Sequence, residues 1–266
     1  MPYPRVEKSF PRFTPEGFHF LTFLSPALGA RDNVTLWIPP GHEEAGNLPM
    51  VVLLHGVFGS NWSWAFNGGA HVVARDLIAA GRIRPMALVM PSDGLLGEGS
   101  GYLKTPTRDC EGWIVDDVIG CAREEFACFG PASPVFLAGF SMGGFGALRL
   151  GAKYPDRFRA IAGHSSVTHF DQMALFVADR PELYGEPPEE DRSVLHWMRQ
   201  HRDALPPVRF DCGVEDKLFA HNRALHEALL ADGIPHTFIE CPGTHSWAYW
   251  HEHLAETLAF FDEQLR

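Results

Sequence analysis

The chain of 266 residues is 45% hydrophobic and 21% charged and carries a formal net charge of −11 at pH 7, the composition of a soluble globular domain. That acidity, unbroken by any Lys/Arg run, repels phosphate backbones and anionic bilayers, so nucleic acid and membrane are set aside and a small-molecule partner is expected. No stretch approaches the roughly 20 apolar residues of a membrane span, the start of the chain lacks the apolar core of a signal peptide, and the five cysteines are scattered with no Cys-x-x-Cys pair; reduced thiols and a cytoplasmic location are the expectation.

In chain order, strand-like runs fall at 19–24, 34–38, 50–54, 87–90, 135–138, 160–162, 208–212 and 236–240. The first two alternate or half-alternate, whereas the later ones are continuously apolar. This contrast predicts an antiparallel N-terminal edge leading into a buried, mostly parallel sheet of about eight strands. Between the later strands lie helical patterns at 70–80, 113–127, 143–153, 217–231 and 247–264, several of them stopped by Gly81, Gly130, Pro155 or Gly233. Strands alternating with helices make one layered α/β domain over 1–266. Residues 165–207 break the rhythm with scattered prolines, the pair Pro206-Pro207 and the acidic run Glu189-Glu190-Asp191, and are expected to cap the carboxyl ends of the strands.

The apolar run ending at Ala138 is followed by Gly139-Phe140-Ser141-Met142-Gly143-Gly144 and then by a helical pattern. Strand, Gly-x-Ser-x-Gly, helix is the context in which a tight turn lifts a serine out at a helix N-terminus. A serine hydroxyl needs a base to take its proton and an acid to fix that base. Downstream, Asp216 follows the strand at 208–212 and His245 follows the last strand, both in turns at strand carboxyl ends. Asp216 ranks above Glu215 and the in-strand Asp211, with capping of the 217–231 helix as its alternative role. His251 and His253 fall inside the final helix, His226 inside the preceding one and His221 near its start, which leaves His245 as the base. The two N–H donors needed by an oxyanion are expected from Met142 and from the loop His55-Gly56-Val57-Phe58-Gly59, with Val57 first and Phe58 second. His55 is expected to orient that loop.

Leu54–Trp64, Gly139–Gly144, Cys212–Asp216 and Gly243–Trp247 together resemble the esterase D family of α/β-hydrolases, which includes carbohydrate-esterase and mycolyltransferase branches. The resemblance spans roughly 18–262 and implies an α/β-hydrolase fold, Ser141 as nucleophile, Asp216 as acid, His245 as base, Val57 and Met142 as oxyanion donors, and no cofactor. The stretch from Met90 to Tyr102 with Trp113 looks most like the carbohydrate-esterase branch, and the cysteine and tryptophan pattern of S-formylglutathione hydrolases is missing near the oxyanion loop. Phe58, Trp62 and Trp64 on one side and Trp247 and Trp250 on the other gather where a pocket rim is expected. Of these, Phe58, Trp62 and Trp247 are the candidates for substrate contact, while Trp250 is read as packing. Asp93 and Glu98 are read as turn formers rather than metal ligands. The expected activity is cleavage of short acyl or aryl esters of sugars or small alcohols through an acyl-enzyme. Acyl transfer to another acceptor, thioester cleavage of the S-formylglutathione type and a non-catalytic binding role are the alternatives, and the oligomeric state is open.

Overall fold

A computed structural model describes Tyr3, residues 5–178 and residues 183–266. Among these residues nine strands form one sheet: β1 (Val6–Lys8), β2 (Phe18–Ser25), β3 (Ala30–Trp37), β4 (Met50–Leu54), β5 (Ala87–Pro91), β6 (Val135–Phe140), β7 (Ala160–His164), β8 (Val208–Gly213) and β9 (Thr237–Cys241). Their spatial order is β1-β2-β3-β5-β4-β6-β7-β8-β9. β1 pairs antiparallel with β2, β2 with β3 and β3 with β5, and every other pairing is parallel. The antiparallel edge and the parallel body are therefore as the hydrophobic pattern predicts. The additional strand is β1, an edge pairing held by backbone bonds to β2; Val6-Glu7-Lys8 has no buried face to announce it.

Among the described residues eight α-helices accompany the strands: α1 (Ser63–Phe66), α2 (Ala70–Ala79), α3 (Cys110–Gly112), α4 (Ile119–Glu125), α5 (Met142–Lys153), α6 (Val194–Gln200), α7 (Phe219–Ala231) and α8 (Trp247–Glu263). The helix predicted over 113–127 is not continuous. A wide π-helical turn covers Trp113–Val118 before α4 begins, and it sets the buried Trp113 indole to donate to the Ser92 carbonyl at 2.9 Å. Wide turns of this kind replace i→i+4 bonding where a side chain must be re-aimed.

The core has two layers, one on each face of the sheet. On β4, Met50, Val52 and Leu54 join the layer formed with α5 and α7, while Val51 and Leu53 join the layer of α2 and α8, the period-2 alternation of a strand covered on both sides. Residues 165–207 lie against α5 as short turns and α6, and 179–182 within them fall outside the described residues. Asp191 fastens this segment through ion pairs to the fully buried Arg149, at 3.0 Å, and to Lys153, at 2.7 Å. Glu111 meets the same Arg149 at 2.8 Å, so the buried guanidinium is compensated on two sides.

Candidate active site

The site gathers at the carboxyl ends of β4, β6, β8 and β9. At the β6–α5 junction Ser141 has φ 55° and ψ −120°, a conformation sparsely populated by L-residues and held only by its surroundings. The turn leaves no room on either side of it: a Cβ on Gly139 would stand 2.3 Å from the Gly143 carbonyl oxygen, and one on Gly143 would stand 2.2 Å from that of Leu54. The Ser141 N–H donates to the His164 carbonyl at 2.9 Å, and its own carbonyl accepts the Val167 N–H at 3.1 Å. The strained residue is thus fixed by the chain that leaves β7.

The structure brings Ser141, His245 and Asp216 into one hydrogen-bonded chain. His245 Nε2 lies 2.9 Å from Ser141 Oγ, and His245 Nδ1 lies 2.8 Å from Asp216 Oδ2. The second Asp216 oxygen accepts the Leu218 N–H at 2.8 Å, so this carboxylate also serves the start of the following helix and both roles weighed for it coexist. Burial pushes the Asp216 carboxyl up, but the His245 hydrogen bond and charge, with the Leu218 N–H, outweigh it and hold the group below the usual carboxylate range. Its rivals are engaged elsewhere. Glu215 accepts the Gly243 N–H at 3.2 Å, which joins the two loops that carry Asp216 and His245. Asp211 is bonded to His164 and Tyr249. His251 faces the Gly68 carbonyl, and His226 faces His236.

Of the two oxyanion candidates on the β4 loop, the Phe58 N–H is already donated to the Glu98 carbonyl at 2.8 Å. That removes Phe58 as a donor. The Val57 and Met142 N–H groups have no acceptor among the described residues, and Met142 opens α5, where backbone N–H groups have no partner inside the helix. His55 orients this loop from beneath: its carbonyl accepts the Tyr102 hydroxyl at 2.9 Å and its Nδ1 lies 2.7 Å from the Gly56 oxygen. Asp93 accepts the N–H groups of Leu95 and Ser100, and Glu98 that of Ala178. Among the described residues no group of three or more His, Cys, Asp or Glu is arranged to hold a metal ion.

A cleft of about 320 Å³ opens beside Ser141 and His245. Phe58 and Trp62 stand at its mouth, 66% and 45% exposed, and Trp247 lines it edge-on to Phe140 at 4.6 Å. Trp250 is buried and stacks on Phe140 at 4.1 Å, the packing role expected of it. Trp64 does not belong to the rim. It is buried, with its indole donating to the Leu54 carbonyl at 2.9 Å. Phe176, which the sequence did not single out, comes from the 165–207 segment to line the cleft and stacks on the His245 ring at 4.9 Å and 26°. It lies in the apolar run Met173-Ala174-Leu175-Phe176-Val177, where nothing in the sequence sets it apart from its neighbours.

The family model described as "Putative esterase" matches residues 127–261, and that of the alpha/beta hydrolase fold matches residues 49–186. An acetyl esterase of Caldicellulosiruptor saccharolyticus is 26% identical over 238 residues, spanning 83% of this chain and 85% of that protein. An esterase of Mycobacterium tuberculosis is 27% identical over 256 residues, spanning 85% of this chain and 55% of its own length, so the chain accounts for about half of that relative. Among solved structures, a ferulic acid esterase aligns with a TM-score of 0.80 at 23% identity over 98% of each chain. This likeness speaks to the fold.

Proposed function

The chain belongs to the esterase family of α/β-hydrolases, and on that premise we propose that this carboxylic ester hydrolase works through an acyl-enzyme on Ser141. The observation that carries the reading is the Ser141–His245–Asp216 chain, with the N–H of Val57, which lines the same cleft, and that of Met142, the residue after Ser141. As Ser141 Oγ attacks the ester carbonyl, His245 Nε2 takes its proton, and Asp216 holds Nδ1–H so that Nε2 is free to accept it. The oxygen that becomes negative is met by the N–H groups of Val57 and Met142. When the tetrahedral intermediate collapses, the C–O bond to the alcohol breaks and the imidazolium returns its proton to that alcohol. Water then repeats the sequence on the acyl-enzyme, releasing the acid and restoring Ser141.

The substrate class we propose is short acyl or aryl esters of sugars or small alcohols. Apolar, aromatic walls favour neutral substrates, and the names of the acetyl esterase relative and the ferulic acid esterase neighbour are in keeping with that class. Among the described residues that line the cleft there is no Lys or Arg to meet the carboxylates of a glutathione thioester. In this reading the 165–207 segment is a cap that acts through Phe176 on the His245 ring. A net charge of −11 argues against nucleic acid or anionic membrane as partner, and five unpaired thiols suit a reducing, cytoplasmic setting. A hydrolysis panel of acetyl, butyryl, octanoyl and feruloyl esters on simple alcohols and sugars, run beside Ser141→Ala, tests the proposal. Loss of all turnover in the variant is expected, and unchanged turnover would overturn it.

A further inference from the structure

Beneath Ser141 lies a buried polar cluster that the proposed mechanism does not use. Asp211, near the end of β8, is fully buried and accepts hydrogen bonds from the His164 imidazole at 3.1 Å, the Tyr249 hydroxyl at 2.9 Å and the Arg209 guanidinium. Two of these donors also meet at one hydroxyl: Thr257 Oγ1 lies 3.1 Å from His164 Nε2 and accepts at 3.0 Å from the same Arg209 Nη1 that donates to Asp211. Burial alone would push the Asp211 carboxyl up, but His164 and Arg209 bring it down to about 2, and burial together with the Asp211 charge raises Tyr249, so the phenol stays a donor.

Each donor belongs to an element that adjoins one member of the Ser141–His245–Asp216 chain. His164 ends β7, and its carbonyl accepts the Ser141 N–H at 2.9 Å. The next residue, Ser165, donates its N–H to the Asp211 carbonyl at 2.8 Å from a φ of 45°. Arg209 and Asp211 lie on β8, which leads directly into the turn of Asp216. Tyr249 lies in the first turn of α8, just after His245, and its ring closes over Gly243, where a Cβ would come within 2.7 Å of it.

We propose that Asp211 is a positioning residue for acyl transfer: by joining β7, β8 and α8 through His164, Arg209 and Tyr249, it fixes the spacing of Ser141, Asp216 and His245. The inference rests on the functional reading above. Geometry of this kind matters to rate because displacements of about 1 Å between reacting groups can cost on the order of a hundredfold.

Tyr249→Phe removes one hydrogen bond to Asp211 while leaving the ring on Gly243, and Thr257→Val and Thr257→Ser respectively remove and keep the hydroxyl shared by His164 and Arg209. Each is compared with wild type and with Ser141→Ala at a temperature well below its melting point, by steady-state hydrolysis of p-nitrophenyl acetate and by the rate of fluorophosphonate labelling of Ser141. For Tyr249→Phe and Thr257→Val, kcat and the labelling rate are expected to fall together by about five- to tenfold with KM within about twofold, and Thr257→Ser is expected to retain both. Variants that melt lower but turn over at the wild-type rate, or in which only KM rises, would overturn the assignment. Should Tyr249→Phe fail to fold, the Thr257 pair decides it. Turnover surviving in Ser141→Ala would instead bring down the functional reading.

Discussion

Two chains of carboxylate, imidazole and hydroxyl stand close together in this molecule. In one, Asp216 meets His245 Nδ1 at 2.8 Å and Ser141 Oγ meets Nε2 at 2.9 Å; in the other, Asp211 meets His164 Nδ1 at 3.1 Å and Thr257 Oγ1 meets Nε2 at 3.1 Å. Connectivity alone does not separate them. The difference lies in their surroundings. Thr257 sits in the middle of α8, fully buried, and its oxygen also serves Arg209, so no substrate reaches it. Ser141 heads α5 in a strained turn beside a cleft, with two uncommitted N–H groups at hand and a His245 side chain that remains 18% exposed. An Asp–His–hydroxyl chain becomes reactive only where access and oxyanion donors are added to it; enclosed, the same chemistry serves as a fastening.

The largest effect that would sharpen this contrast is expected from Asp216→Asn. The amide cannot hold the His245 tautomer, and kcat should fall by about 10⁴-fold with little change in KM. Steady-state kinetics on a p-nitrophenyl ester checks this, and a loss under about tenfold would show that another group fixes the imidazole. Next in size is Gly59→Ala, which tests the donors beside Ser141. The new Cβ would stand 2.5 Å from His55 Nδ1 and 2.9 Å from the Gly56 carbonyl, forcing the loop that presents the Val57 N–H to shift. A kcat loss of about 10- to 100-fold is expected, with fluorophosphonate labelling slowed in step. Wild-type rates would remove Val57 from the oxyanion site.

Acid stability offers a smaller effect and separates the chains by their carboxylates. The Asp211 carboxyl is held down at about 2 in the folded chain, against 3.8 for an ordinary aspartate side chain. A group held low in this way stabilises the fold fully above the unfolded value, and that stabilisation is lost as pH falls through the folded one. The window is therefore pH 3.8 down to about 2, and the contribution is on the order of 2 kcal/mol. Asp216 is shifted in the same direction and adds to the same limb. Denaturant titrations of wild type and Asp211→Asn should differ most near neutrality and converge toward pH 2; a gap independent of pH would mean that the carboxylate charge is not what stabilises the cluster.

How far the sequence discloses this site follows from how local each constraint is. The turn at Ser141 is legible because its steric demand falls within two residues on either side, at Gly139 and Gly143. The parallel strands are legible because both their faces are covered, which makes their apolar runs continuous. Asp216 and His245 follow from the rule that loops at strand carboxyl ends converge. The edge strand Val6–Lys8 is three residues long with no fully buried side chain, and so short a mixed run leaves no apolar pattern to read. Nor does any spacing relate Phe176 to His245, whose contact depends on how the segment after β7 packs. Asp211 reads in sequence as a polar interruption of a strand; only the β7–β8 register, which sets His164 opposite it, shows why the interior holds a charge there.

The smallest effect concerns the cleft mouth, which the enclosed chain has no counterpart to. Phe58 and Trp62 expose 66% and 45% of their surface, so neither is needed to fill the core, and removing either ring should leave the fold and the chemical step intact. An aryl or sugar face laid on such a ring gains about 0.5–1.5 kcal/mol, equivalent to about two- to twelvefold in KM. An acetyl ester of a small alcohol leaves the mouth empty and gains nothing there. Trp62→Ala should therefore raise KM for feruloyl or sugar esters by roughly that factor while KM for ethyl acetate and both kcat values hold. Equal effects on the two substrate classes would place the ring's influence on the loop that carries Val57 rather than on the substrate, and would shift the selection of esters to Trp247 and Phe176 deeper in the cleft.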